Sequence, residues 1–219
     1  MSDQNRIAVV TGLHPHDVIG FQDLFDELEG VHPYIQHMED FVCSPEQVRD
    51  DYGCVVFYHF HMDTPTGTEE SWCAKPTKSA IEHLGTSSQG VVVLHHALLA
   101  FPDWEVWTRI TGLPERKQFG YSPGENLKVR VASTDHPITR GMSDWEMVEE
   151  TYQLRQDPVD SEILLTAEHP KSMRCIGWTR RHGKSRVFCL QLGHDNQGWS
   201  HPSFRKVLGR GIDWASGRL

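Results

Sequence analysis

Four short apolar runs in this chain each stop at imidazole. Ile7-Ala-Val-Val10 runs into Thr11-Gly12-Leu13-His14-Pro15-His16, and Cys54-Val-Val-Phe57 into Tyr58-His59-Phe60-His61. Gly90-Val-Val-Val-Leu94 runs into His95-His96, and Val187-Phe-Cys-Leu-Gln-Leu192 into Gly193-His194. Neutral imidazole is a ligand for zinc and related ions and also carries protons near neutral pH. The pattern therefore supports two chemistries, metal binding and general acid–base catalysis. A metal site needs three or four ligands converging from separate elements. His61, His95, His194 and Glu150 are the candidate ligands, and zinc is the first candidate ion. Read as acid–base and binding groups, His96, Glu150, Tyr152 and His194 are the catalytic candidates, with His14, His59, His95 and Trp199 holding substrate. No H-E-x-x-H signature is present, so the reading rests on where the elements end rather than on local spacing. A histidine at a strand end is most often only hydrogen-bonded or exposed, and that reading fits His16, His32, His37, His83, His169 and His182. His136 and His201 each precede proline and read equally well as turn residues.

The elements that must position these groups follow from periodicity. A run of four aliphatic residues bounded by glycine fits a strand buried on both faces, as in a parallel sheet covered by helices. In such sheets ligands sit beyond the carboxyl ends of the strands, where the histidines fall. Between the first two runs, Asp17 caps a helix carrying Phe21, Leu24, Phe25 and Leu28 on one face and ending at Gly30. Val31–Met38 reads as a short strand that Pro33 confines to an edge. Ser44-Pro45-Glu46-Gln47 has the form of a capping box. The stretch 62–70 is a polar loop long enough to be a lid. Lys75–Leu84 reads as a helix, and a further one starts at Pro102, carries Trp104, Trp107 and Ile110, and closes at Gly112. The βαβαβα order predicts a right-handed, doubly wound parallel sheet. The second half changes character. Leu127–Val131 alternates, Trp145–Leu154 reads as extended, and Glu162–Thr166, Cys175–Thr179 and Arg186–Leu192 are further strands. A hairpin is signalled at Arg181-His182-Gly183-Lys184, and a last helix follows Ser200-His201-Pro202. One domain over 1–219 is expected, because no linker or repeat interrupts the pattern.

Composition narrows the function. A net charge of −9 opposes broad binding to nucleic acid or anionic membranes. Five cysteines, an odd number without C-x-x-C spacing, argue against a disulfide framework or a thiolate zinc site. No signal segment or membrane-length apolar run is visible, so a cytoplasmic setting is expected. The first strand–helix loop lacks G-x-G-x-x-G, so no nucleotide cofactor is expected. The expected partner is a small molecule, and a homo-oligomer is compatible through 120–124 and the strand from Trp145. Tryptophans at helical spacing (Trp104, Trp107) read as core, and Trp214 likewise; Trp199, near His194, is placed towards the site.

A nucleophile can be tested for. The turn after the central strand, Leu94-His95-His96-Ala97, holds neither cysteine nor serine, and neither G-x-C-x-G nor G-x-S-x-G occurs. A glutamine amidotransferase or an α/β-hydrolase is disfavoured.

Across nearly its whole length the chain resembles the ThuA-like (trehalose utilisation) family. The matching stretches are Gly90-Val-Val-Val-Leu-His-His-Ala97, Asp135-His-Pro-Ile-Thr-Arg-Gly141, Glu149-Glu-Thr-Tyr152, Gly177-Trp-Thr-Arg180, Gly183-Lys-Ser-Arg-Val-Phe188, Gly193-His194 and Trp214-Ala215. Each is weak alone, but their order and spacing are specific. The resemblance implies a flavodoxin-like α/β fold, with a mostly parallel sheet and extra strands in the C-terminal half, related to class I glutamine amidotransferases without their cysteine. It also implies carbohydrate metabolism, acting on a disaccharide or keto sugar as an isomerase, epimerase, lyase or metal-assisted hydrolase. The rival expectation is a non-catalytic sugar-binding or regulatory domain. The family commonly has His-Ser where this chain has His95-His96, and Asp-Glu-x-Tyr where it has Glu149-Glu150-Thr151-Tyr152.

Overall fold

The computed structural model describes residues 5–219. Nine strands form a single sheet in the order β2-β1-β3-β4-β9-β8-β7-β5-β6. The first half alternates β1 (Asn5–Gly12), α1 (Val18–Asp26), β2 (Val31–His37), α2 (Met38–Cys43), α3 (Glu46–Asp50), β3 (Cys54–His59), α4 (Thr77–His83), β4 (Gly90–Leu94), a 3-10 turn (His95–Leu99) and α5 (Glu105–Thr111). The second half runs β5 (Gly120–Val131), β6 (Trp145–Gln153), β7 (Glu162–Ala167), β8 (Cys175–His182), β9 (Ser185–Leu190), α6 (Asn196–Trp199) and α7 (Pro202–Ala215).

The α/β assignment holds, but the sheet is mixed rather than mostly parallel. β2-β1-β3-β4-β9 is a parallel block in the flavodoxin-like order, with β9 in fifth place. From β9 outward, β9-β8, β8-β7, β7-β5 and β5-β6 are all antiparallel. The physical reason lies in the connections. A parallel pair needs a crossover, usually a helix, whereas β5 through β9 are joined by turns and loops without one.

β3 and β4 are buried along their whole length, which requires cover on both faces of the sheet. α7 packs on β4, β9 and β3, and α5 on β8 and β9. β2 lies at one sheet edge, the kind of strand in which a proline such as Pro33 is tolerated. The expected capping box does not form. Ser44 ends α2 instead, its hydroxyl donating to the Asp40 carbonyl at 2.9 Å, and α3 starts without a side-chain cap. α5 begins at Glu105 rather than at Pro102, and its C-terminus is closed by Gly112 at φ 78°. Among the described residues no helix is long and apolar enough to cross a membrane.

Candidate active site

The parallel block sets β1, β3, β4 and β9 side by side, so their carboxyl ends share one rim. β4 and β9 pair directly, with Leu94 opposite Leu190. Directly after β4 the chain turns sharply, with His95 at φ 53°. A left-handed backbone at a non-glycine residue costs about 1–2 kcal/mol. Such strain persists where the surroundings over-determine the residue, and His95 is held on every side. Its Nδ1 lies 2.6 Å from the Gln191 carbonyl. A carbonyl only accepts, so Nδ1 carries the proton and Nε2 presents a lone pair. Burial lowers the His95 pKa, outweighing the contacts with Glu150 and Gln191 that would raise it.

Three groups surround that lone pair. The Tyr152 hydroxyl donates to Nε2 at 2.7 Å, His194 Nδ1 lies at 3.1 Å, and Glu150 Oε1 at 3.4 Å. Glu150 Oε1 is also 3.4 Å from His194 Nδ1. Burial alone would raise the Glu150 pKa, but hydrogen bonds and the charges of His95 and His194 outweigh it and leave the carboxyl below its usual value. Burial, reinforced by the Glu150 charge, pushes the Tyr152 phenol well above its ordinary value, so it stays a donor.

Glu150 and Tyr152 belong to β6, which stands four strands away from β9 in the sheet. They arrive because the antiparallel half curls back over the rim. Gln191 fastens the closure by donating from Nε2 to the Glu150 carbonyl at 2.6 Å. Glu149 fastens it again, its carboxylate accepting from the backbone N–H groups of Gly193 at 2.7 Å, His194 at 3.0 Å and Glu150 at 3.0 Å. Burial pushes the Glu149 pKa up to about 8, against the pull of those three donors. The Gly193–His194 turn is held from the other side too. Trp199 Nε1 donates to the Gly193 carbonyl at 2.8 Å, and the Tyr58 hydroxyl to the His194 carbonyl at 3.1 Å.

The polar cluster opens onto a cavity of about 290 Å³ lined by His14, Phe60, His96, Leu99, Phe119, Tyr121, Glu150 and Tyr152. His14 stacks on His96 with ring centroids 4.0 Å apart. His96 is buried, yet neither ring nitrogen meets a hydrogen-bond partner at normal geometry. Burial, reinforced by the neighbouring histidines, holds it well below the usual imidazole pKa and therefore neutral.

Of the residues singled out from the sequence, His95, His194, Glu150 and Tyr152 form the polar cluster, and His96 and His14 line the cavity beside it. The structure does not bring His59, His61 or Trp199 into that cavity. Trp199 is buried beneath the rim as a support for Gly193. The alternation at the end of β3, carried on into Phe60 and His61 just beyond it, explains the other two. Tyr58 and Phe60 face His96, while His59 and His61 face the opposite way. His59 is fully buried against Phe101 and Trp107, and its Nδ1 is 3.3 Å from His61 Nδ1. His61 in turn lies near His37 and is not among the residues able to share an ion with His95, Glu150 and His194. Sequence reasoning missed Phe60, Leu99, Phe119 and Tyr121. For Phe60 the strand alternation beside Tyr58 was an available signal; for Phe119 and Tyr121 there was none, because they come from the distant start of β5.

The fold, a flavodoxin-like parallel block extended by antiparallel strands, is similar to that of glutamine amidotransferases. A glutamine amidotransferase of Thermotoga maritima superposes with a TM-score of 0.53 at 12% identity, covering 96% of this chain and 98% of that one. Closer in shape are two ThuA-like proteins. The one from Parabacteroides merdae has a TM-score of 0.78 at 19% identity over 99% of this chain and 91% of that one. The one from Bacteroides uniformis has 0.73 at 17% identity over 98% and 93%. The comparison with curated proteins finds no match. The family model described as trehalose utilisation matches residues 31–215, and the chain belongs to this ThuA family. A role in carbohydrate metabolism is the general setting that membership gives.

Proposed function

We propose that the chain is an enzyme acting on a sugar derivative, a disaccharide or keto sugar, by proton transfer beside a carbonyl. The observation that carries this reading is the juxtaposition of an unpartnered, neutral His96 with the Glu150–His95–His194–Tyr152 cluster across one small cavity. A pocket of this size with a few convergent polar groups suits a small polyhydroxylated ligand, and Tyr121 and Phe119 offer aromatic faces for its ring. The family description supports the substrate class.

In this reading His96 takes the proton from the carbon next to the carbonyl. The C–H electron pair becomes the new C=C bond, and the carbonyl π pair moves onto oxygen to give an enediolate. Tyr152, still a phenol, turns its O–H from His95 Nε2 to that oxygen and donates a hydrogen bond to it. Return of the proton from His96 to the former carbonyl carbon, with the hydroxyl proton of the neighbouring carbon passing to the former carbonyl oxygen, completes an isomerisation; return to the original carbon after the intermediate has turned its other face to His96 completes an epimerisation. An imidazole with a depressed pKa is a weak base but its conjugate acid is strong, so it releases the proton readily. The expected cytoplasmic setting belongs to the same proposal and accords with five free cysteines.

The test is solvent exchange. Keto derivatives of trehalose and related disaccharides are incubated with the protein in deuterium oxide, and NMR follows loss of the proton beside the carbonyl. Exchange that is catalysed by the wild type and reduced about a hundredfold or more in His96→Ala supports the reading. Sugar binding by the wild type without exchange or turnover across the panel would instead favour a non-catalytic sugar-binding domain.

A further inference from the structure

The polar cluster poses a charge problem. Glu150 is a carboxylate, and His95 faces it with a lone pair, since the Nδ1 proton of His95 is committed to the Gln191 carbonyl. The Glu150 carboxylate on the cavity wall opposes a second negative charge beside it, as an enediolate would be. Glu150 Oε1 and His95 Nε2 both act as acceptors, 3.4 Å apart and withdrawn from water; the Tyr152 hydroxyl can donate to only one of them, at Nε2, and brings no positive charge.

We infer that His95 Nε2, His194 Nδ1 and Glu150 Oε1 bind one divalent cation, zinc by its ligand preferences. The three atoms form a triangle with edges of 3.1, 3.4 and 3.4 Å. Zinc–nitrogen and zinc–oxygen bonds of about 2.0–2.1 Å at tetrahedral angles require edges of about 3.3–3.4 Å. An octahedral face at the same bond lengths would need about 3.0 Å or less. Two imidazoles and one carboxylate also exclude calcium and magnesium, which take oxygen ligands. The bond from His95 Nδ1–H to a backbone carbonyl is the outer-shell contact that fixes a metal-binding histidine in the correct tautomer. Of the three ligands Glu150 lines the cavity, with Tyr152 beside it, so an ion held here would border the space a substrate enters. Three protein ligands with one open position is the form of a catalytic rather than a structural zinc site.

This inference deepens the sugar reading by supplying the positive charge that an enediolate or alkoxide requires. It assigns Glu150 to the ion and leaves His96, whose ring nitrogens are free, as the proton carrier. The second acidic group with a histidine, Glu46, Asp50 and His83, is exposed and satisfied as ordinary ion pairs, with His83 Nε2 3.2 Å from Asp50. It serves as the control.

Chelator-stripped full-length protein is titrated with zinc and separately with cobalt(II). Stoichiometry is counted by plasma mass spectrometry, and geometry is read from the visible ligand-field absorption of cobalt. One ion per chain is expected, with the intense bands of four-coordinate cobalt. Glu150→Gln and His194→Ala should each weaken binding about a hundredfold or more, since even loss of an outer-shell partner costs tenfold to a hundredfold. His83→Ala should bind as the wild type does. The His194 side chain is 26% exposed, so its truncation leaves the core intact, and circular dichroism verifies this. A stripped wild type that takes up no stoichiometric ion at micromolar protein overturns the inference. So does binding that survives both cluster variants. The readout uses no sugar, so a failed exchange assay and a failed metal titration are separate results.

Discussion

The histidines facing away from the cavity give the protein a predictable sensitivity to acid. His61 packs with His59 and His37 behind β1 and β3, and its pKa is lowered to about 4, first by burial and then by the His37 charge. Unfolding returns it to about 6.5. The unfolded chain therefore binds more protons than the folded one between these values, and stability rises with pH across that window. The contribution is fully present above pH 6.5 and is lost progressively as pH falls towards 4. Between pH 7 and pH 5, linkage with these two pKa values gives a loss of roughly 2 kcal/mol from this one ring. Because solvent reaches part of the ring, about 1–2 kcal/mol is the expected figure. His59, His96, His95 and His14, all depressed chiefly by burial, add losses of the same sign. The assay is urea unfolding of wild type and His61→Gln at pH 5, 6, 7 and 8 with chelator present. The variant should lose about 1–2 kcal/mol less than the wild type between pH 7 and pH 5. Identical pH slopes for the two proteins would refute the assignment of His61 as a group kept neutral by its surroundings.

Gly12 ends β1 at φ 148°, and a Cβ there would lie 2.9 Å from both His37 Nε2 and His61 Cε1. Gly12→Ala should destabilise the fold by about 2 kcal/mol or more, read as a shift in the urea midpoint. Tyr58→Phe removes the donor to the His194 carbonyl and should cost about 1 kcal/mol. Because that carbonyl belongs to the turn that aims His194, the same variant should also weaken cobalt binding in the titration, whereas wild-type affinity in Tyr58→Phe would show that Trp199 and Glu149 suffice to hold the turn.

The parallel half of the fold was legible because local rules and global packing agree there. The runs of β1, β3, β4 and β9 are apolar on both faces, so they can only lie inside a covered sheet, and the βα alternation dictates parallel pairing with their histidines on one rim. α2 and α6 were not read, since helices of six and four residues leave too short a periodic signal. The capping box was misread because Ser44 could serve either helix, and the preceding one claims its hydroxyl.

By itself the sequence determined that several imidazoles end neighbouring strands, that no nucleophile follows the central strand, and that the chain resembles the ThuA family. It could not decide which imidazoles meet. His59 and His61 differ from Phe60 by a single step of alternation, and that step turns His59 into the core and the half-buried His61 towards His37, rather than into the cavity. Glu149, Glu150 and Tyr152 lie more than fifty residues beyond His95 and reach it only because the antiparallel strands curl the far edge of the sheet back over the rim. No periodicity in β6 encodes that curl. It is set by the packing of the whole sheet and locked by Glu149 on Gly193 and His194, contacts between residues more than forty positions apart.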